Sequence, residues 1–225
     1  MFNSKKYSKL KTHKLFTFLI VACLLISCNN TKTETQDNFQ YLTEQFADLK
    51  IIKYKVPGFE NLDLRQKKLI YFLSQASLSG RDIIFDQNYR HNLRVRRTLE
   101  TIVANYPGDR DSENFESFME YTKRVWFSGG IHHHYAKKKL VPKFSSEYFI
   151  NELINETESS EEYAFPLMEG EDKMDLARSL DEVIFNPNID SKGVNLDANA
   201  DIILNSANNY YSPNITASEA ESRAA

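Results

Sequence analysis

Hydrophobic positions in this chain form one continuous run and then a series of periodic stretches. The run is Leu15–Ile26, LFTFLIVACLLI, twelve residues long and too short to span a bilayer comfortably. It follows Lys5, Lys6, Lys9, Lys11 and Lys14 with no acid between them, a pattern that predicts a signal peptide over residues 1–27 rather than a transmembrane anchor. Downstream, Phe39, Leu42, Phe46 and Leu49 stand at helical spacing and predict a short amphipathic helix over 39–49. Ile52, Tyr54 and Val56 then alternate with Lys53 and Lys55, which predicts a half-buried strand ended by Pro57-Gly58.

Three helices are expected next. Asn61 or Asp63 can cap the first, whose apolar stripe includes Leu69, Ile70, Leu73 and Ala76, with Gly80 interrupting or ending it. The second begins near His91, sets Leu93, Leu99, Ile102 and Val103 on one face and stops at Pro107-Gly108. Its Arg94, Arg96 and Arg97 read as the solvated outer face. The third starts after Asp111-Ser112, carries Phe115, Phe118, Met119, Val125 and Trp126, and runs into a Gly129-Gly130 turn. Beyond Pro142, Tyr148, Phe149, Leu153 and Ile154 predict a helix that follows Ser145 and Ser146. Residues 155–162 form an acidic linker, Leu176–Val183 a further helix, and 186–201 a loop. The chain closes with a turn and the start of another helix. The fold class expected is mainly α with minor β (α+β).

The signal-peptide run ends in Leu25-Ile26-Ser27-Cys28, which resembles the lipobox of bacterial lipoproteins. That resemblance implies cleavage before Cys28, lipid on its sulfur, and a polar tether over residues 28–38. Membrane attachment then comes through the lipid on Cys28, at the cell envelope, on a periplasmic or surface face. Cys23 would leave with the leader, so no thiol remains for a disulfide, a metal or nucleophilic chemistry. The leader holds five of the 28 basic residues and none of the 31 acidic ones, leaving 23 against 31, a net charge of −8. An acidic body argues against nucleic acid as a partner. The 41% hydrophobic content, rich in Phe and Tyr, suffices for a core.

Candidate chemistry concentrates in FSGGIHHHYAKKKLV, residues 127–141. H-E-x-x-H, the phosphate-binding G-x-x-x-x-G-K-S/T loop, G-x-G-x-x-G and G-x-S-x-G are all absent. Three adjacent histidines cannot converge on one metal ion, which needs ligands from separated positions. In an extended loop His132 and His134 project to one side and His133 to the other. The stretch therefore reads as a solvated loop or a ligand-facing one, and no metal site is expected. Lys137, Lys138 and Lys139 can steer an anion or simply face solvent. Asn208-Asn209-Tyr210-Tyr211 can line a pocket or sit half in a core.

Three separated segments carry a resemblance to a known family: YTKRVWFSGGIHHHYAKKKLVPKF (121–144), LSQASLSGRDIIFDQ (73–87) and NNYYSPNITASEAE (208–221). Taken together, and in their order along the chain, they resemble the N-terminal part of the dipeptidyl peptidase III family of zinc exopeptidases, in particular its Bacteroides-type branch. The likeness covers about Phe39 to Glu221. It implies a two-lobed peptidase with a wide cleft, residues 39–225 being part of the lower lobe. The family's zinc motif, H-E-x-x-G-H or a longer variant, does not occur in these 225 residues. On that reading the chain is an N-terminal fragment without catalytic residues or cofactor of its own, zinc belonging only to full-length members. The resemblance carries over one substrate-binding role, to Tyr135, with Gly129, Gly130 and His134 on the same loop as companions. The partner it implies is a peptide held against the cleft wall. An alternative is a peptide-binding or interaction lipoprotein that keeps only the lower-lobe module. A histidine-loop metal scavenger is a third.

Overall fold

The computed structural model describes residues 39–224. The expected signal peptide, the tether and the lipid-bearing Cys28 lie outside the described residues. The described residues are mainly helical with one two-stranded sheet, the α+β class expected. Contacts divide the described residues into two units, one of residues 39–44 and 50–55, the other of 45–49 and 56–224.

The first unit is the base of a hairpin. Strands β1 (Leu42–Phe46) and β2 (Leu49–Ile52) pair antiparallel around a turn at Ala47-Asp48, with Ala47 at φ 47°. The Lys53 amide donates to the Tyr41 carbonyl at 2.9 Å, and Phe39 meets Tyr41 edge-on at 4.8 Å. The helix expected over 39–49 is thus a strand and a turn, and the strand expected at 52–56 lies earlier, at 49–52. Four apolar residues within an eleven-residue window satisfy either period, so cross-strand pairing decides.

The second unit begins as the sequence pattern predicts. Helix α1 (Leu64–Ser79) opens with a capping box: the Gln66 amide donates to the Asp63 carboxylate at 2.8 Å, and the Asp63 amide donates back to Gln66 Oε1 at 3.0 Å. Gly80 ends α1 and starts α2 (Arg81–Asn88). The expected core stripe of α1 is not buried. Leu69, Ile70 and Leu73 are all exposed, and no residue of this helix is buried. Tyr71 and Phe72 spread apolar surface to its other faces, so the helix has no single side to bury.

The core lies among α3 (Asn92–Asn105), α4 (Glu113–Ser128), α5 (Ser146–Tyr148, continuing as a π-helical turn over Phe149–Ile154) and α6 (Lys173–Phe185). Side-chain caps start three of them, with Ser112, Ser145 and Asp172 accepting from the third residue onward. Leu99, Ile102, Phe118, Leu153, Leu176 and Leu180 are wholly or almost wholly buried. Phe144 is the hub of the aromatic part, with the rings of Phe118, Tyr121, Phe149 and Phe185 between 5.6 and 6.3 Å from it. A last helix, α7, spans Ala217–Ala224.

Arg96 is not on a solvated face. It is 9% exposed, donates to Asp82 of α2 at 2.8 Å and to Glu100 at 3.0 Å, and lies 4.8 Å over the Phe85 ring. Sequence spacing shows the i,i+4 partner but not Asp82, fourteen positions back on another helix. Arg94 is likewise held, by Glu171. Arg97, 54% exposed and 3.2 Å from Asp82, keeps the outward role expected. Replacing Arg96 by alanine is expected to cost about 2 kcal/mol in urea denaturation, since it strands two carboxylates and opens space over Phe85. Arg97→Ala, measured alongside, is expected to change stability by less than about 1 kcal/mol.

Candidate functional site

The Gly-Gly loop is fixed before any ligand arrives. Gly129 caps α4 in the left-handed conformation (φ 66°), and Gly130 follows at φ 144°. Asn92, fully buried at the start of α3, donates to the Phe85 carbonyl at 3.0 Å and accepts the Ile131 amide at 3.0 Å. Asn88 donates to the Gly129 carbonyl at 3.0 Å. A Cβ on Gly130 would lie 2.0 Å from the Asn92 amide nitrogen, so only glycine lets the loop pass this close.

From there the chain enters a backbone ladder too irregular to count as a sheet. Leu140 donates to Ile131 at 2.8 Å and His133 to Lys138 at 2.8 Å. On the far side Lys139 donates to Ser191 at 3.0 Å, and Gly193 to Lys137 at 2.7 Å. The next rung brings in the tyrosine segment: Ala207 donates to Lys192 at 3.0 Å, Asn208 to Gly193 at 3.1 Å, and Asn209 to Gln87 at 2.8 Å. Four stretches far apart in sequence are thereby laid side by side.

The three histidines have three environments. His132 is 6% exposed, and its Nε2 donates to the Asp190 carbonyl at 2.7 Å, which assigns the neutral Nε2–H tautomer. Among the described residues its Nδ1, buried beside Gly193, has no hydrogen-bond partner. Asp190 itself sits at φ 47° and accepts the Tyr89 hydroxyl at 2.6 Å. His133 and His134 do not project to opposite sides as an extended loop would require. Their rings stack at 4.4 Å, because a turn begins at His134 and the His133 Nδ1 accepts the amides of Tyr135 (3.2 Å) and Ala136 (3.1 Å). His134 also meets Phe127 edge-on at 4.9 Å. Among the described residues, no group of three His, Cys, Asp or Glu side chains is placed to hold a metal ion.

Of the four residues expected to bind substrate, Gly129 and Gly130 line a cavity of about 140 Å³ together with Ser128, His132, Lys137, Gly193, Asn208 and Tyr210. Tyr135 and His134 do not line it. Tyr135 stands 85% exposed on the outside of the turn, its ring 4.4 Å from that of His134. The structure therefore separates an exposed aromatic ledge from a small cavity of mixed lining, within one loop. Comparison with protein-family models returns no match, and comparison with curated proteins returns none either.

Asn208 and Tyr210, which by type could line a pocket or sit half in a core, and Lys137, which could steer an anion or face solvent, all border the cavity. The sequence pattern does not single out Asn88 or Gly193. Gly193 is the one glycine in the loop 186–201, a weak signal of close backbone approach; a Cβ there would press on His132 at 3.3 Å.

Burial holds both His132 and His91 below the ordinary imidazole range, with Lys139 and Lys137 opposing a further charge at His132, and Arg90 and Arg94 at His91. Their attraction to Asp190 only partly offsets this. An unfolded chain takes up these protons near pH 6.5, whereas the folded chain resists until lower pH. Stability is therefore complete above about pH 6.5 and falls as the pH drops toward the folded values. Thermal midpoints are expected to be level from about pH 7 upward and to decline between about pH 6.5 and 5. His132→Gln, which retains a donor toward Asp190, is expected to flatten that decline when midpoints are measured across the same range.

Proposed function

We propose that this chain is the N-terminal, lower-lobe portion of a dipeptidyl peptidase III-like lipoprotein, anchored at the bacterial cell envelope through Cys28, and that its task is to hold peptide. The reading rests on the three quoted segments, which are distant in sequence and meet at one place. Gln87 accepts from Asn209, the neighbouring Asn88 holds Gly129, and Gly129, Gly130, Asn208 and Tyr210 share one cavity wall. That convergence is the observation that carries the proposal, because it places the residues of all three segments around one cavity.

The chemistry present suits binding rather than bond cleavage. Lys137 gives a positive charge, Tyr135 an exposed ring, and the glycines a backbone that can be approached closely. No acid lines the cavity, and its histidine is buried and neutral. In the proposed enzyme the zinc ion, held by a motif outside these residues, would polarise the scissile bond. This chain would position the peptide. The other reading, an interaction lipoprotein that captures peptides without any catalytic lobe, draws on the same ledge and cavity.

The chain is expected to bind short unblocked peptides saturably by calorimetry, with Tyr135→Ala weakening them several-fold. With zinc added it is expected to release no arylamine from a dipeptidyl-arylamide. Turnover above a heat-killed control removes the fragment reading, and an unchanged affinity in Tyr135→Ala removes the ledge from peptide binding.

A further inference from the structure

The cavity at the Gly129-Gly130 turn has an unbalanced set of polar groups. Lys137, Ser128 and Tyr210 line it, and among the described residues neither the Lys137 ammonium nor either hydroxyl has a hydrogen-bond or ion-pair partner. No aspartate or glutamate faces them across the cavity. Asn208 spends its amide on the Gly193 carbonyl at 3.2 Å, which leaves its side-chain oxygen able to accept. One cation, two hydroxyl donors and no acid make a site for a single negative charge, not for an ammonium group. With one lysine and no arginine it suits a monoanion better than a phosphate.

The same wall continues into a second space. Val194, Asn208 and Tyr210 also border a groove of about 390 Å³ whose other sides are largely apolar, including Ile202, Ile203 and Tyr211, with Glu221 as its one acid. The two spaces thus meet edge to edge. The smaller one, of mixed lining, has room for several water-sized groups, enough for a carboxylate and its Cα, and the groove for a side chain.

We propose that these two spaces form a carboxylate-capture site for the free C-terminus of a short peptide ending in an apolar residue. The carboxylate accepts from Lys137, Ser128 and Tyr210, the Asn208 side-chain oxygen accepts the last peptide N–H, and the apolar side chain occupies the groove. This rests on the reading of the chain as peptide-holding and assigns a polarity to it: the C-terminus goes to the cavity, and residues nearer the N-terminus extend away from it. The charge of Lys137 reaches His132, which it helps to keep neutral, so the buried imidazole does not compete for the anion as a second cation.

The test uses the full chain and two probes, N-acetyl-Ala-Leu as the free acid and as its C-terminal amide. Calorimetry is expected to show saturable binding of the acid and about tenfold weaker binding of the amide. Lys137→Met is expected to lose the acid's advantage while keeping the wild-type thermal midpoint and circular dichroism, since its ammonium has no partner among the described residues. Tyr210→Phe is expected to weaken the acid a few-fold. N-acetyl-Ala-Glu is expected to bind more weakly than the leucine peptide, because the groove offers a second carboxylate little compensation. Equal affinity for acid and amide, no saturable binding of the acid, or a Lys137→Met variant with wild-type discrimination each overturns the site. An amide bound in a Tyr135-dependent manner, with Lys137 irrelevant, overturns carboxylate capture alone and leaves peptide holding standing.

Discussion

One buried amide positions the loop on which everything else depends. The Asn92 side chain is wholly removed from water, so its donor and acceptor must be matched within the protein or cost about 1–3 kcal/mol each. Both are matched by backbone: the Phe85 carbonyl at the end of α2 and the Ile131 amide after the glycine turn. Three segments are thereby fixed relative to one another by a group with no freedom to move. Gly130 is the condition for this arrangement, because any Cβ at that position would overlap the Asn92 amide. A larger residue there would have to break the bond to Ile131 or displace α3 from the core.

The register set at Ile131 is carried outward by backbone hydrogen bonds. Ile131 pairs with Leu140, the strand-like stretch 137–139 pairs with 191–193, and 192–193 pairs with 207–208. Each rung is an isolated bridge or a single bond, so the ladder lacks the length that lets a sheet hold itself. Side chains supply the rest. His132 ties the first rung to Asp190, and Tyr89, fully buried, ties Asp190 to the start of the helical core. The cavity wall is thus as firm as a small polar network allows, and that network contains an imidazole whose burial makes it sensitive to acid.

The helices at the centre were legible because their signals are local. Asp63, Ser112 and Ser145 stand where caps belong, and the apolar spacing of α3 and α4 repeats for several turns, whereas Asp172 caps α6 at Lys173, three residues before the expected Leu176. The hairpin at 42–52 was not, since so short an amphipathic stretch fits a helix as well as a strand and only the partner strand resolves it. Arg96 was misread for a similar reason: its helix spacing is that of a solvated face, but Asp82 and Phe85 come from the preceding helix. In the histidine run, adjacency argued against convergence on a metal, yet nothing local told which ring would be buried. That was decided by Asp190, fifty-eight residues away. Of the cavity, the glycines and the Asn208–Tyr211 stretch stood out by type, while Asn88 and Gly193 acquire meaning only when the ladder brings them together.

The first two helices differ sharply in what holds them. Helix α1 has a complete N-terminal cap but no buried residue, and its apolar side chains point in all directions. A sixteen-residue helix held only by capping and propensity is marginal in water, and one apolar on every side gains nothing from a single packed face. Helix α2 is half as long but is anchored by Phe85 beneath the Arg96 guanidinium and by the Asp82 ion pairs. Local opening that starts in α1 therefore has a natural stopping point at Gly80, where the helix already breaks. Beyond it, unwinding would have to expose Phe85, strip Arg96 of a partner and free the Phe85 carbonyl from Asn92. The loop and its cavity hang from that same asparagine, so they stay assembled while α1 frays.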